Sequence, residues 1–350
     1  MDLDILGWND FFVRGYNQYK DLGYHPGRVA SQHKNIYRLL SEYGELTAKV
    51  SGKMNYEAVS ISDFPAVGDW VVFLHANESE AVIHATLPRR TKFSRQAAGN
   101  MTEEQIISAN IDTVFVVTAL NKDFNLNRME RYLTLVWESG ANPVIILNKA
   151  DLCTDIEEKL SKVENITLGT PVFAISALNK NGLDKLNDYF TPGNTIALIG
   201  SSGVGKSTIV NSIIGKELLR VNEVRDDDKG RHTTSHRELF VLPQGGMIID
   251  TPGMRELQLW GSRDSYKETY EDIEYYAKQC HFKDCHHDSE PKCAVKKAIT
   301  NGKLDPRRLE SYNKIQKELA YLSGRQEYLA QKEQLFKQYR TTLRKHNKKR

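Results

Sequence analysis

Eight consecutive residues carry the clearest capacity for chemistry. Gly200, Ser201, Ser202, Gly203, Val204, Gly205, Lys206 and Ser207 fit the pattern G-x-x-x-x-G-K-[ST]. Its glycines let successive N–H groups turn inward around a phosphate, and a helix running on through Thr208 brings its positive end to the same place. In that arrangement Lys206 bridges the β- and γ-phosphates, and Ser207 ligates Mg²⁺. The strand-like run Thr195–Ile199 before the loop and the helical run Thr208–Ile214 after it supply the strand–loop–helix setting. A glycine-rich turn kept only for packing would need neither flank.

A second group reads the base. Asn148-Lys149-Ala150-Asp151 follows the apolar run Pro143–Leu147. A carboxylate in the plane of the base accepts two hydrogen bonds from the N1–H and N2–H₂ edge of guanine. Adenine lacks that donor pair and leaves the carboxylate unpaired, so the motif predicts GTP and GDP as ligands and disfavours an ATPase. Asn148, Lys149 and Asp151 are the expected contacts. Ser176 and Ala177, after the run Pro171–Ile175, fit the loop that backs the guanine. Alone, either string is an ordinary surface turn; behind buried strands, in a chain with a phosphate loop, each becomes specific.

Asp250-Thr-Pro-Gly253 closes the run Met247–Ile249. Asp250 there can hold Mg²⁺ through water, and the Gly253 N–H can meet the γ-phosphate. Upstream, Gly230-Arg-His232-Thr233-Thr234 offers a threonine to complete the Mg²⁺ shell, Thr234 preferred and Thr233 still open. A last constellation is Cys280-x₄-Cys285-x-His287-x₅-Cys293. Three thiolates and one imidazole suit a closed, structural, tetrahedral Zn²⁺ site, with His281 and His286 as competing ligands. Cys153 stands apart and reads as a core residue.

The elements that must position these residues change texture along the chain. Residues 1–34 mix aromatics with polar residues and read as an N-terminal arm or short helix. From Ile36 to Leu87 the apolar period is two, with Val59 and Ile61 among the alternating pairs, and turn residues separate the runs. That spacing predicts a small β-barrel over 35–97. From 105 to 261, compact apolar runs alternate with amphipathic stretches and predict a mostly parallel sheet with crossover helices. A helical, cysteine-bearing segment over 262–324 follows, its long polar helix opening at Asp305-Pro306, and a basic extension over 325–350 ends the chain.

Composition narrows the class. With 350 residues, 40% hydrophobic and 27% charged, the chain is an ordinary globular one of two or three domains, which excludes collagen, coiled-coil fibre and wholesale disorder. No apolar run nears the ~18 residues a spanning helix needs, and the acidic start lacks a signal-peptide pattern, so a cytoplasmic protein without a membrane partner is expected. Four cysteines in this length are no disulfide framework. Overall charge is +3, yet Lys337–Arg350 carries seven Lys/Arg and no acid, so the body is mildly acidic and the tail basic. An anionic partner such as RNA is the expectation. Arg89, Arg90, Lys92 and Arg95 are expected as a basic rim beside the barrel.

The order of the motifs is unusual. GTPases ordinarily run phosphate loop, switch threonine, Asp-x-x-Gly, Asn-Lys-x-Asp, then Ser-Ala. Here both base-reading motifs come first, so the GTPase fold is circularly permuted. A permuted GTPase behind a small barrel and ahead of a Cys-Cys-His-Cys finger resembles the ribosome-small-subunit-dependent GTPase A family (RsgA, also YjeQ or YloQ). The likeness spans roughly residues 35–325 and includes Gly-Arg-His-Thr-Thr and the run Asp250–Trp260. It implies an OB-fold barrel, a permuted GTPase domain and a helical zinc domain. It also implies a late-stage maturation factor that binds the small (30S) ribosomal subunit and its 16S rRNA as a monomer, hydrolysing GTP slowly alone and faster on the subunit. Met254 stands where many GTPases have the water-orienting Gln, and the resemblance puts His232 in that role, making His232, Lys206 and Thr234 the expected catalytic set. The alternatives are an RNA-binding nucleotide switch with negligible turnover and a GTPase acting on another RNA partner.

Overall fold

The computed structural model describes residues 1–96, 104–167, 169–214, 237–243, 245–250, 265–288 and 290–320. These fall in two compact units, the larger holding residues 1–95 and 104–250 and the smaller the residues from 265 on. The chain starts with α1 (Asp10–Lys20), whose N-cap Asn9 accepts from the Phe11 N–H. Phe12 on this helix and Trp8 before it pack on the fully buried Trp70, with ring centroids 5.8 and 4.6 Å away.

Five strands then close a barrel: β1 (His25–His33), β2 (Ile36–Ser41), β3 (Gly44–Val50), β4 (Trp70–His75) and β5 (Glu80–Thr86), with α2 (Gly52–Glu57) between β3 and β4. Their order is β1-β2-β3-β5-β4 with β4 returning to β1, and β3–β5 is the one parallel pair among them. This is the OB-fold pattern. Alternate residues of the strands, among them Val29, Leu39, Leu46, Val71, Phe73 and Ile83, fill its core. The barrel therefore takes in residues assigned by composition to an N-terminal arm, because Gly27 and Arg28 pair with both β2 and β4. Val59 and Ile61 do not form a strand. The Asp63 carboxylate accepts from the Val59 and Ser60 N–H groups, capping a short 3₁₀ turn, and leaves Val59 78% and Ile61 44% exposed.

The expected basic rim is instead occupied internally. Arg89 is bidentate on the buried Asp69, Arg90 pairs with Asp112, Lys92 with Glu104, and Arg95 donates to Gln105. The last two contacts arise because β6 (Lys92–Gln96) leaves the barrel and pairs with β7 (Glu104–Ala109) in a separate two-stranded sheet.

The rest of the larger unit is a sheet of β8 (Thr113–Ala119), β9 (Asn142–Asn148), β10 (Val172–Ala174), β11 (Thr195–Ile199), β12 (Glu238–Val241) and β13 (Met247–Asp250). Its order is β10-β9-β8-β11-β13-β12, parallel throughout except for β12, which is antiparallel to β13. Helices α3 (Leu126–Ser139), α4 (Ile156–Thr167) and α5 (Lys206–Ile214) belong to this half. Every residue of β8 and β11 is buried, which is why they read as unbroken apolar runs rather than alternations. Beyond β12 the sheet continues into the barrel through the pair Ser31–Glu238. Arg28, 1% exposed, fastens this junction: its guanidinium donates to the carbonyls of Leu6, Gly68 and Asn110 and to Thr195 Oγ1 at 2.9 Å. Burial, with Arg90 nearby and against the pull of Asp69, lowers its pKa to about 9.

The smaller unit holds α6 (Ser265–Thr269), α7 (Glu271–Ala277), α8 (Ala294–Thr300) and a helix over 306–320. Asp305 starts the last helix by accepting from the Arg307 N–H, as its N-cap position predicts. Arg308, 2% exposed, forks onto Asp272 with bonds of 2.6 and 2.7 Å and ties this helix to α7. The extension over 325–350 lies outside the described residues. Among the described residues no helix is long and apolar enough to cross a membrane.

Candidate nucleotide site and metal centre

The parallel strands of the sheet end at one edge, and the motif loops emerge there: Asn148 from β9, Ser176 after β10, Gly200 after β11 and Asp250 from β13. Clefts at the carboxyl ends of such strands are where open α/β sheets bind ligands. In the phosphate loop Gly200 and Gly205 have φ of +148° and +99°. A Cβ on Gly200 would lie 2.2 Å from the Val117 carbonyl oxygen, and one on Gly205 2.2 Å from Asn148 Nδ2. Only glycine lets the loop lie this close to its neighbours. Val204 is buried and anchors the loop in the sheet's core, whereas Ser202 and Gly203 are exposed at its mouth. Ser207 and Thr208 open α5, half-buried. Lys206 Nζ reaches back over the loop to the carbonyls of Gly200 and Ser201 at 2.8 and 2.7 Å, so its ammonium lies across the place a phosphate would take.

Asn148 ties the loops of the site to one another. It is 2% exposed, its Nδ2 donates to the Val204 carbonyl at 2.8 Å, and its Oδ1 accepts from the Ala177 N–H at 3.0 Å. One side chain thus pins the phosphate loop to the Ser176–Ala177 loop. Asp151 is exposed beside them, with Ser176 Oγ donating to its Oδ1 at 2.5 Å, and Lys149 before it is held at φ +64°. The loops for base and phosphate are brought together through Asn148. Asp250 sits at the end of β13, where burial raises its carboxyl to about 6; Lys206 opposes the rise and Glu238 adds to it. Burial disfavours its ionised form, and a positive charge beside it, as Lys206 supplies, favours that form.

One participant carries no motif signal. Arg128, in the first turn of α3, donates to Ser201 Oγ at 2.5 Å and to Asp123 at 2.6 Å. Nothing in its local sequence announces this contact across 73 residues. Cys153 is a correction to the reading as a core residue: it is half-buried, its thiol facing Asp155 at 3.2 Å and Lys159 Nζ at 3.4 Å. His232, Thr233, Thr234, Gly253 and Met254 lie outside the described residues.

In the smaller unit the ligand atoms of Cys280, Cys285, His287 and Cys293 all lie within 4.8 Å of one another. His287 Nδ1 is 3.4 Å from Cys293 Sγ and 3.6 Å from Cys280 Sγ, and the left-handed backbone at His287 (φ +60°) turns the ring inward. His281 and His286 are not in the cluster; the His281 ring packs on Phe282 instead. Burial raises the Cys285 thiol to about 11. At Cys280 burial acts the same way, but amides of Val295 and Ala294 outweigh it and lower the thiol. Burial also lowers His287 and favours the neutral ring that a metal needs. Three soft sulfurs and one imidazole fit a tetrahedral metal ion.

Comparison with known proteins agrees with this geometry. Residues 86–260 match the RsgA GTPase family. The chain is 45% identical over 336 residues to the small ribosomal subunit biogenesis GTPase RsgA of Opitutus terrae, covering 93% of this chain and 92% of that one. It is 46% identical to RsgA 2 of Lactiplantibacillus plantarum, with 91% and 90% covered. Among solved structures, YjeQ from Thermotoga maritima superposes with a TM-score of 0.66 at 27% identity, over 85% of this chain and 99% of that one. YloQ, a circularly permuted GTPase, shares the fold with a TM-score of 0.63 over 86% and 96%. With the permuted motif order, the barrel and the Cys₃His cluster already in place, these likenesses show that the chain belongs to the RsgA GTPase family.

Proposed function

We propose that this protein is a GTPase of small ribosomal subunit biogenesis that hydrolyses GTP to GDP and phosphate at the loops gathered by Asn148. The observation that carries the reading is that gathering: one buried amide ties the phosphate loop to the base loop, although 52 residues separate Asn148 from Gly200. Gly200 to Thr208 hold the phosphates, Asp151 and Ser176 read guanine, and Lys149 flanks the base. Ser207 and Asp250, with Thr234 or Thr233, hold Mg²⁺, which when bound neutralises the charge developing on the phosphates. Gly253 meets the γ-phosphate. His232 orients the attacking water, in place of the glutamine that Met254 replaces.

The metal in the Cys280, Cys285, His287 and Cys293 cluster is zinc, with a structural role, since the four ligands leave no open position. The partner is the 30S subunit through its 16S rRNA, the chain acts as a monomer, and its place is the cytoplasm, where that partner matures. The test is GTP turnover by the purified full chain, alone and with purified small subunits, with ATP and large subunits as controls. Stimulation of at least tenfold by small subunits and with GTP alone is expected. GTP binding without stimulation would overturn the assigned partner. His232→Ala, with nucleotide affinity kept, is expected to lose most of the stimulated rate; full stimulated turnover would remove the histidine from the mechanism.

A further inference from the structure

Four residues on four neighbouring strands stand in one row across the junction of barrel and GTPase sheet. Arg38 on β2 is opposite Ser31 on β1, Ser31 is opposite Glu238 on β12, and Glu238 is opposite Asp250 on β13. Directly opposed residues share a face of the sheet, so the row is continuous on one side. Ser31 in the middle is small, and Arg38 reaches over it to Glu238, Nη2 to Oε1 at 2.5 Å, while Nη1 donates to Glu45 at 3.1 Å. Asp250 is the directly opposed neighbour of Glu238 on the other side.

We propose that Arg38, a barrel residue, is a positioning residue for the nucleotide site: by holding and neutralising Glu238 it sets the charge beside Asp250, and with it the preference for the triphosphate over the diphosphate. The inference rests on the nucleotide reading above. Glu238 places a carboxylate one strand away from Asp250, the residue assigned above to hold Mg²⁺ beside the phosphates. With the guanidinium in place that charge is compensated. Without it, two carboxylates face a ligand whose γ-phosphate adds further negative charge on that side, and the triphosphate is repelled more than the diphosphate. A single charge acting over one or two strand spacings in a partly solvated medium alters affinity about three- to tenfold. Arg38 is 30% exposed, so an anion arriving at the barrel can compete for it.

The experiment titrates fluorescent GTP and GDP analogues against the purified full chain with Mg²⁺ present, at low and physiological salt. Arg38→Ala is expected to weaken GTP about three- to tenfold and GDP less, with the difference shrinking as salt rises. Arg38→Lys keeps the charge and is expected to keep the wild-type GTP-to-GDP ratio. Adding Glu238→Gln to Arg38→Ala is expected to restore that ratio, whereas adding Glu45→Gln is not. Glu238→Gln alone is expected to tighten GTP relative to GDP, which provides the reading if Arg38→Ala does not fold. A wild-type ratio in Arg38→Ala, restoration by Glu45→Gln as complete as by Glu238→Gln, or a Glu238→Gln chain with an unaltered ratio overturns the proposal. If the wild-type chain binds no guanine nucleotide, the GTPase reading falls with it; if it binds and only the ratio fails to move, this inference alone falls.

Discussion

Asp151 and Asn148 sit three residues apart and divide one task. Asp151 is exposed and oriented by Ser176, whereas Asn148 is buried with both ends of its amide committed to loop backbones. Asp151→Asn exchanges an acceptor-only group for one with a donor, so it cannot accept both guanine N–H bonds. The ratio of GTP to ITP affinity is expected to fall about tenfold or more, since inosine lacks only the exocyclic amine. Competition of the two nucleotides for the protein checks this, and an unaltered ratio would take Asp151 out of base recognition. Asn148→Ala acts otherwise. It leaves a buried carbonyl and a buried N–H without partners, so a stability loss of about 1–3 kcal/mol is expected alongside weaker binding of every nucleotide, guanine or not. Thermal melting of the nucleotide-free chain separates that effect from recognition.

At the scale of elements, the phosphate loop is a close-packed turn rather than a flexible strap. Gly200 runs against strand β8, and its absent side chain lets it pass the Val117 carbonyl. Gly200→Ala places a methyl group 2.2 Å from that oxygen at a backbone φ of +148°. Either problem alone strains the loop, and together they are expected to abolish phosphate binding and lower the melting temperature by several degrees. A well-folded variant with normal GTP affinity would mean the loop can be built another way. The same scale explains the barrel's basic residues. Their positive charge is legible in sequence, but Arg89 is half of a buried pair with Asp69, and β6 leaves the barrel for β7. Arg90 and Lys92 keep 39% and 48% of their side chains exposed in their pairs, so an anion would have to compete with Asp112 and Glu104 for them.

For the whole molecule, the division into two units separates chemistry from metal. Every described nucleotide motif lies in the larger unit, and all four cluster ligands lie in the smaller. Chelation is therefore expected to remove one metal ion per chain and to melt the 265–320 unit, while leaving GTP affinity within about twofold. Metal analysis with calorimetry checks this. Removal that shifts no transition would make the cluster dispensable for folding, contrary to the behaviour of small closed sites that lack a large apolar core.

Much of this protein was determined by local sequence alone. The phosphate loop, the base-reading strings and the Cys₃His spacing each encode chemistry within a few residues, and strand runs such as Pro143–Leu147 are apolar because they are buried on both faces. The permutation was legible too, since motif order is a property of the chain. Tertiary structure alone decided what depends on distant partners. Asn148 is a tie between loops because Val204 and Ala177 arrive beside it. Arg128 reaches the phosphate loop only because β8 and β11 are neighbours in the sheet. Residues 25–33 are a strand because β2 and β4 flank them, and Arg38 faces Glu238 because the barrel and the GTPase sheet share one row. Periodicity and motifs report a residue's own backbone and burial; a hydrogen bond across 73 or 200 residues depends on which strands lie side by side, and no local pattern carries that.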